Sequence, residues 1–343
     1  MNADQKNQFL IGKIAFHGSG VDNRSLEQRG IGPLYNALTC GECHTHDGRA
    51  DPTKSPSSII RIYNSKFKNG DPIYGEQLQD KAIEGSISEA TNGKLSLGEL
   101  DKNSFTFIRT APPVFGMGLI EAIDNDWIEE NADPNDKNSD GISGRIGYID
   151  IDGKKVIAKF GAKATIASVR DQTLLAAKED LGLSEKELGK TSTDALVFYT
   201  RALAAPKQRN NSSTEVGKKT FINLGCASCH SETAPVGKSD LYTFDKAKIH
   251  PFSDFLLHNL GEELADAGEV AGRDSDEFRT APLWGLGLRE TVNGSLFLMH
   301  DGRARSIDDA ILLHGGEGQK SKMKYRELSL KDKEELIQYL NSL

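Results

Sequence analysis

The sequence lacks the features of several common classes of protein. Its 343 residues contain no uninterrupted apolar run of the roughly 18 residues that a transmembrane helix needs. Basic residues are in deficit, with 42 Lys and Arg against 50 Asp and Glu, and no basic tract is present. We therefore predict no membrane span, and we expect neither a nucleic acid nor an anionic membrane surface as a partner.

Aromatic residues are also scarce, at 7% with only two tryptophans, whereas there are 34 glycines. The apolar content of 37% and the charged content of 27% are typical of a folded, water-soluble chain. Its length predicts about two domains. The many glycines indicate long loops, and the shortage of aromatic side chains suggests that something else fills part of the core.

Only four cysteines occur, and they form two copies of one pattern. One copy is Cys40, Cys43 and His44, and the other is Cys226, Cys229 and His230. Cys-x-x-Cys-His is the attachment motif of c-type haem. Two thiols three residues apart can each add to one vinyl group of the same porphyrin, and the next histidine then lies below the iron. The sequence therefore predicts two covalently bound haem c groups.

Three other uses of the cysteines fit the sequence less well. Zinc sites built from two Cys-x-x-Cys halves usually have them about 15–20 residues apart, whereas these lie in opposite halves of the chain. Thioredoxin-like motifs need βαβ surroundings, which the sequence does not indicate. A disulfide within Cys-x-x-Cys closes a very small loop and stabilises little.

The haem prediction bears on location. The first residues are polar and form no signal peptide, so either the chain is cytosolic or its leader is absent from this sequence. Covalent haem attachment occurs outside the cytoplasm, which favours a periplasmic protein. A lipid anchor ahead of residue 1 stays an open alternative.

The two halves of the chain repeat one another. RTAPPVFGMGL over 109–119 matches RTAPLWGLGL over 279–288. An apolar segment precedes each haem motif, at 31–38 and, with helical spacing, at 216–224. Each half also closes with an amphipathic helix, predicted at about 192–204 and about 330–342, the latter capped by Ser329.

We predict a mainly α fold of two cytochrome c-like haem domains with long loops and little β structure. The domains are 1–205, with the reactive haem, and 215–343, with the electron-transfer haem, joined by a linker over 206–214. The clearest strand signal is a hairpin over 146–156 that turns at Asp152 and Gly153.

Six segments carry a resemblance to a known family, and the match spans about residues 30–340. They are GIGPLYN over 30–36, FGMGLIEAI over 115–123, DGISGR over 140–145, DFLLH over 254–258, FRTAPLWG over 278–285 and HDGRA over 300–304. The chain resembles bacterial di-haem oxidoreductases, a peroxidase-like family in which some members are called thiol oxidoreductases. This family is related to the di-haem cytochrome c peroxidases, the methylamine-utilisation di-haem enzyme and the haem rubber oxygenases.

The resemblance implies different ligands for the two irons, with His44 and His230 as proximal ligands. In the cytochrome c peroxidases, a His-Asp-Gly stretch like that at 300–302 is followed by a methionine that ligates the C-terminal haem. This sequence has His314 at that place, as the rubber oxygenases have a histidine. We predict that His230 and His314 both ligate the second haem, with Met323 as the rival ligand or His314 as an ordinary loop residue.

No comparable segment is found for the first haem, which we predict to be open or weakly capped. Its candidate ligands are Met117, His17 and His46. Phe115, Met117 and Glu121 would line its pocket, and Glu121 is the candidate catalytic residue that moves a proton between peroxide oxygens. The alternatives are that Met117 packs in a core and that Glu121 faces solvent.

Further residues are assigned to the cofactors on general grounds. Arg279, Arg303 and Arg305 are candidate partners of haem propionates, because guanidinium groups pair well with carboxylates; the alternative is that they are solvated. Trp284 is the candidate aromatic between the two haems, or else a core residue. His258 and His300 are expected to serve structure.

One loop predicts a calcium site. Asp136, Asn138 and Asp140 alternate before Gly141, as ligands do in calcium loops. The twelfth position is Gly147 rather than glutamate, so the loop is not a regular EF-hand. The alternative is a solvated turn.

Three functions remain open from the sequence. The first is a periplasmic peroxidase-like oxidoreductase that acts on peroxide or dioxygen and takes electrons from a small cytochrome or cupredoxin. The second is an electron-transfer cytochrome without catalysis of its own. The third is an accessory protein of periplasmic iron handling.

Overall fold

A computed structural model describes residues 1–18, 31–54, 58–91, 94–209, 214–241 and 247–343. Helices make up 38% of the structure and strands 16%, which confirms a mainly helical chain with little sheet. Residues 210–213 of the predicted linker, and Gly30, lie outside the described residues. Among those described, no helix has both the length and the apolar character to cross a membrane.

The chain forms two compact units that are not continuous in sequence. The first unit contains Met1–Met117, Val169–Leu203 and Ala267–Gly272. The second unit contains Gly118–Ser168, Ala204–Asp266 and Arg273–Leu343. Each unit carries one Cys-x-x-Cys-His motif.

Helices and strands are numbered in chain order. The first unit contains α1 (Ala3–His17), β1 (Leu34–Tyr35), α2 (Cys40–Cys43), β2 (Ser58–Asn64), β3 (Lys81–Ala82), β4 (Ala90–Thr91), β5 (Lys94–Leu95), β6 (Ser104–Thr110), α5 (Val169–Leu181), α6 (Glu185–Leu188) and α7 (Lys190–Ala202). The second unit contains α3 (Met117–Glu121, except Met117), α4 (Asn125–Asn131), β7 (Tyr148–Ile151), β8 (Lys154–Ile157), α8 (Thr214–Leu224), β9 (Ala234–Pro235), β10 (Lys248–Ile249), β11 (Leu257–Asn259), β12 (Glu277–Arg279), α9 (Arg289–Asn293), α10 (Ile307–Leu313), α11 (Gln319–Glu327) and α12 (Leu330–Ser342).

A crossed helix pair recurs in both units. In the first, α1 packs on α7 because Gly12 has no side chain: a Cβ there would overlap the carbonyl oxygen of Ala195 and the Cβ of Tyr199. In the second, Gly217 of α8 lies in the same way against Glu335 and Tyr339 of α12. The same close approach in both units supports an internal duplication.

An aromatic pair accompanies each crossing. Phe16 and Tyr199 have ring centroids 5.4 Å apart in the first unit, and Phe221 and Tyr339 have centroids 5.6 Å apart in the second. All four rings are buried. The two helix pairs therefore provide similar apolar cores, one beside each haem motif.

Both closing helices are confirmed, as Lys190–Ala202 and Leu330–Ser342. The side chain of Ser329 accepts a hydrogen bond from the Asp332 amide, which confirms it as the N-cap. The apolar segment at 216–224 is helical. Its counterpart at 31–38 forms only the two-residue strand β1. In the first unit, α1 is instead the helix that packs on the closing helix, as α8 does in the second.

The predicted hairpin is confirmed as β7 paired with β8. Asp152 and Gly153 both have positive φ, at 52° and 76°, as the tight turn requires. A longer antiparallel pair, β2 with β6, joins Ile59 to Arg109 and Tyr63 to Phe105 in the first unit. The sequence analysis missed it.

Candidate functional site

The first haem motif lies on one turn of helix. Cys40 and Cys43 are the first and last residues of α2, so both thiols lie on one short element with His44 directly after it. Burial raises the pKa of the Cys40 thiol to about 12. Reactive thiols need the opposite shift, so this environment does not favour thiol redox chemistry. Neither Cys-x-x-Cys pair of the chain is disulfide-bonded.

His44 is held as a neutral imidazole. Burial lowers its pKa, opposed by hydrogen bonds to the backbone of Gly48 and Pro112. Its Nδ1 lies 3.4 Å from the Gly48 carbonyl oxygen. A backbone partner on Nδ1 orients the ring and leaves Nε2 as the ligand atom.

The second motif repeats this arrangement with better hydrogen-bond geometry. Cys226 begins a 3₁₀ turn over Cys226–Ser228, and Cys229 and His230 follow. Nδ1 of His230 donates to the Phe252 carbonyl at 2.9 Å. Burial and, to a smaller degree, His314 lower the pKa of His230 to about 4. The imidazole is therefore neutral, as a metal ligand must be.

His314 lies close enough to His230 for their charges to interact. It is the residue directly after α10, and its Nδ1 donates to the Ala310 carbonyl at 2.7 Å. Burial lowers the pKa of His314 as well. The second unit thus brings together two half-buried, neutral imidazoles, each with a backbone partner on Nδ1. Met323, the rival ligand, lies on α11 and is 43% exposed.

A buried ionic cluster lies beside the second motif. His258 donates from Nε2 to Asp254 at 2.9 Å and from Nδ1 to Glu317 at 2.6 Å. Because both ring nitrogens donate to carboxylates, the imidazole is cationic, and its pKa is raised to about 12 despite burial. Its Nδ1 is also 3.6 Å from Sγ of Cys229. A structural role was predicted for His258 from the sequence, but its two acidic partners were not.

Glu317 joins this cluster to DGISGR, another of the segments that resemble the family. Its carboxylate accepts hydrogen bonds from the amide and hydroxyl of Ser143, at 3.0 and 3.1 Å, and from the Asn259 amide at 3.1 Å. Gly144 of the same segment packs closely against Leu256, because a Cβ at Gly144 would lie 2.7 Å from the Leu256 side chain. DGISGR and DFLLH therefore meet at Glu317, three residues after His314.

We expect Glu317→Gln to lower the free energy of unfolding by about 1–3 kcal/mol, because one neutral amide replaces a carboxylate that a buried cation needs. Urea unfolding of the haem-loaded protein measures this. Glu263→Gln is the control, since the Glu263 side chain is 60% exposed. Equal stability of the two variants would contradict the proposed importance of the cluster.

The predicted propionate partners differ in their surroundings. Arg279 is half-buried and donates to the carbonyls of Gly161 and Thr280 at 2.9 and 3.1 Å. Burial lowers its pKa to about 10. Arg303 is 40% exposed and forms an ion pair with Asp301 at 2.6 Å. Arg305 lies over the Phe297 ring, with its guanidinium carbon 4.3 Å from the centroid.

Arg289 was missed. Its Nε is buried and has no hydrogen-bond partner among the described residues, and burial lowers its pKa to about 10. A buried guanidinium nitrogen in this state fits an anionic partner. The repeat contains a signal for it, because Arg289 takes the place that Ile120 has in the first half.

Trp284 and His300 belong to the core of the second unit. Trp284 is 6% exposed. His300 stacks on Phe278, with ring centroids 4.1 Å apart and an angle of 12° between the planes. The stack agrees with the structural role expected for His300.

The residues predicted around the first haem are placed as follows. Phe115 is half-buried and Met117 is buried, and both belong to the first unit. Glu121 is half-buried and belongs to the second unit. His17 uses Nε2 in contacts with Asp47 and Tyr199. His46 is exposed.

The predicted calcium loop is exposed and internally hydrogen-bonded. The Asp136 carboxylate accepts from the Gly141 amide at 3.2 Å, and the Asn138 side-chain amide donates to Asp140 at 3.1 Å. Asp136 and Ser139 have positive φ, at 46° and 57°. These bonds explain the shape of the loop without a cation.

Each of the two units has a Cys-x-x-Cys-His motif whose histidine is oriented by a backbone carbonyl, an arrangement typical of haem-binding proteins. The chain belongs to the di-haem oxidoreductase family. The family model, described as "Di-haem oxidoreductase, putative peroxidase", matches residues 71–193 and 184–343, most of the chain.

The other comparisons add little. No curated protein matches the chain. Among solved structures, the chain is similar to hydrazine synthase from Kuenenia stuttgartiensis, in crystals pressurised with 20 bar xenon. The identity is 15%, the TM-score is 0.39, and the match covers 98% of this chain and 92% of the other.

Proposed function

We propose that this chain is a periplasmic di-haem c-type oxidoreductase that reduces peroxide. Cys40 and Cys43 would attach the first haem, and Cys226 and Cys229 the second. His44 and His230 would be the proximal ligands. The observation that carries the proposal is the pair of neutral imidazoles, His230 and His314, because together they would give a bound second haem two strong ligands.

The two haems would divide the work. Two imidazole ligands make the second haem an electron-transfer centre, which a small cytochrome or cupredoxin would reduce. In the first unit, Nε2 of His17 is engaged and His46 is exposed, which supports a first haem with an open position. A haem with an open position supplies the site at which peroxide binds and is reduced.

The surrounding residues fit two haem groups. Each proximal histidine has a backbone acceptor on Nδ1, which fixes the ring and directs Nε2 away from the backbone. The buried Nε of Arg289 lacks a partner within the described chain, and a haem propionate would provide one. We also propose Arg279 and Arg303 as propionate partners, Trp284 as an electron-transfer residue, and Phe115 as a residue of the peroxide pocket.

A calcium ion at Asp136, Asn138 and Asp140 is a further part of the proposal. Ca²⁺ prefers carboxylate and amide oxygens, and the loop supplies them. The two compact units support the division into haem domains at 1–205 and 215–343 only in that each contains one motif.

Carbon monoxide binding tests whether the first haem has an open position and the second has two protein ligands. The fully reduced, haem-loaded protein should bind one carbon monoxide, at the first haem, and optical and spin-resonance spectra should show one low-spin haem that is unaffected. Two low-spin haems without carbon monoxide binding would instead favour an electron-transfer cytochrome.

We expect His314→Met to raise the reduction potential of the second haem, because a thioether stabilises ferrous iron relative to imidazole. A rise of the order of 0.1 V is a modest part of the roughly 0.8 V that axial ligation spans. Spectroelectrochemical titration measures it. His250→Met is the control, since the His250 side chain is 55% exposed. An unchanged potential in His314→Met would rule out His314 as a ligand.

A further inference from the structure

Three polar side chains meet beside the first haem motif. The Tyr199 hydroxyl donates to Oδ1 of Asp47 at 2.8 Å. Nε2 of His17 lies 3.0 Å from the same Oδ1 and 3.1 Å from the Tyr199 oxygen. We call these three residues the Tyr199 triangle. It joins α1, α7 and the turn that follows His44.

The phenol of this triangle is buried and has a base beside it. Tyr199 is 1% exposed. Burial and the neighbouring Asp47 carboxylate raise the pKa of Tyr199, so the hydroxyl keeps its proton and directs it at Asp47. A phenol that loses an electron becomes a strong acid, and a hydrogen-bonded carboxylate can take the proton at once. This arrangement therefore favours the coupled loss of an electron and a proton.

An aromatic path leads from Tyr199 to the proximal histidine. The ring centroids of Tyr199 and Phe16 are 5.4 Å apart, and those of Phe16 and His44 are 5.9 Å apart. Phe16 is 4% exposed. Both steps lie within the usual range of aromatic contacts, so an electron has a short, buried route between the phenol and the haem ligand.

The second unit has the aromatic pair without a hydrogen-bonded triangle, although the charges of Glu232 and Glu215 help to raise the pKa of Tyr339. Tyr339 and Phe221 correspond to Tyr199 and Phe16 in the repeated helix crossing. Ile222 takes the place of His17, directly after the phenylalanine, and Thr233 takes that of Asp47, three residues after the motif histidine. The structure assigns the Tyr339 hydroxyl no hydrogen bond among its described residues. The helix crossing therefore does not require the triangle, which is an addition to the first repeat.

We propose that Tyr199 is a redox-active residue of the first unit, which gives one electron to the first haem site while its phenolic proton passes to Asp47. The proposal rests on peroxide reduction as the proposed function. Reduction of one hydrogen peroxide to two water molecules takes up two electrons and two protons. Tyr199 supplies one electron and a ferrous haem supplies the other, while solvent provides the two protons. The donor protein later restores Tyr199, and Asp47 returns the proton.

The first experiment adds hydrogen peroxide to the haem-loaded protein and freezes it for spin-resonance spectroscopy. The wild-type protein should give a tyrosyl radical, identified by its change of line shape when the protein contains ring-deuterated tyrosine. Tyr199→Phe should lose this signal. Tyr339→Phe is the matched control from the other repeat and should keep it. Asp47→Asn should reduce the radical yield, because the amide accepts the hydrogen bond but not the proton.

The outcomes separate this proposal from the proposed function. If peroxide changes the haem spectrum but Tyr199→Phe keeps the radical, or the wild type forms none, Tyr199 is not redox-active although peroxide reduction stands. If peroxide leaves the haem spectrum unchanged, peroxide reduction fails. Photogenerated tris(bipyridine)ruthenium(III) then serves as the one-electron oxidant. A radical that depends on Tyr199 would uphold the redox role, and its absence would overturn it.

A folding defect cannot imitate the expected result. The haem spectrum of Tyr199→Phe before oxidation shows whether His44 still ligates the iron. His17→Gln gives a second check, because it alters the triangle and leaves the phenol and Asp47 in place. If Tyr199→Phe does not bind haem normally, the proposal is upheld by a deuterium-dependent line shape in the wild type together with a lower radical yield in Asp47→Asn, and it is overturned if the yield is unchanged.

Discussion

Replacement of both Cys226 and Cys229 by alanine is expected to give a protein with one covalently bound haem instead of two. No other residue can form the lost thioether bonds, because the chain contains only two further cysteines and these belong to the other motif. The intact mass of protein matured in a host with c-type haem attachment measures the result.

Cys40 and Cys43 provide the matched pair of substitutions. Their replacement by alanine should also remove one haem, and the haem that remains should be the low-spin one. Loss of both haems in either double variant would contradict independent attachment. Wild-type protein that contains zinc, or no covalent group, would contradict the haem assignment itself.

Gly217→Ala is expected to be strongly destabilising. The added methyl group would overlap the carbonyl oxygen of Glu335 and press on Tyr339, so α8 and α12 must move apart. Overpacking of this kind costs about 1–3 kcal/mol. We expect a loss of stability at the upper end of this range, because the methyl group would meet the helix backbone at Glu335, which cannot rotate away as a side chain can. Thermal or denaturant unfolding of the haem-loaded protein measures the change.

Lys219→Ala is the control for Gly217→Ala, because it lies on the same helix and is exposed. It should change stability little. Gly12→Ala, the equivalent change in the first unit, should destabilise for the same reason, since its Cβ would overlap Ala195. A neutral Gly217→Ala would show that the helix crossing adapts more easily than the structure implies.

Local patterns were enough to predict part of the fold and part of the site. The closing helices have apolar residues at helical spacing, and the hairpin at Asp152 and Gly153 has a turn sequence of its own. The Cys-x-x-Cys-His motifs are also local, since all their atoms come from five successive residues. In each case, the information lies within a few residues of the feature.

Features formed by distant residues could not be predicted in this way. Glu317 binds His258 from 59 positions away, and in the sequence it is one of many glutamates near glycines. β2 and β6 are separated in sequence by a long stretch. Ile108 of β6 is 48% exposed, so apolar residues lie on both faces of this strand and the sequence shows no clean alternation of apolar and polar residues. The Tyr199 triangle unites residues from three separate segments, and none of its three residues belongs to a motif.

The division of the chain into units has a consequence for biosynthesis. Ala267–Gly272 belongs to the first unit, where Gly268 lies against the ring of Phe105 and Glu269 lies 3.8 Å from Lys68. A nascent chain emerges from its N-terminus, so Cys40 and Cys43 emerge long before the last piece of their own unit. The first unit can therefore complete its fold only after residue 272 has been made, and a fragment that ends at residue 205 would lack the segment that completes it.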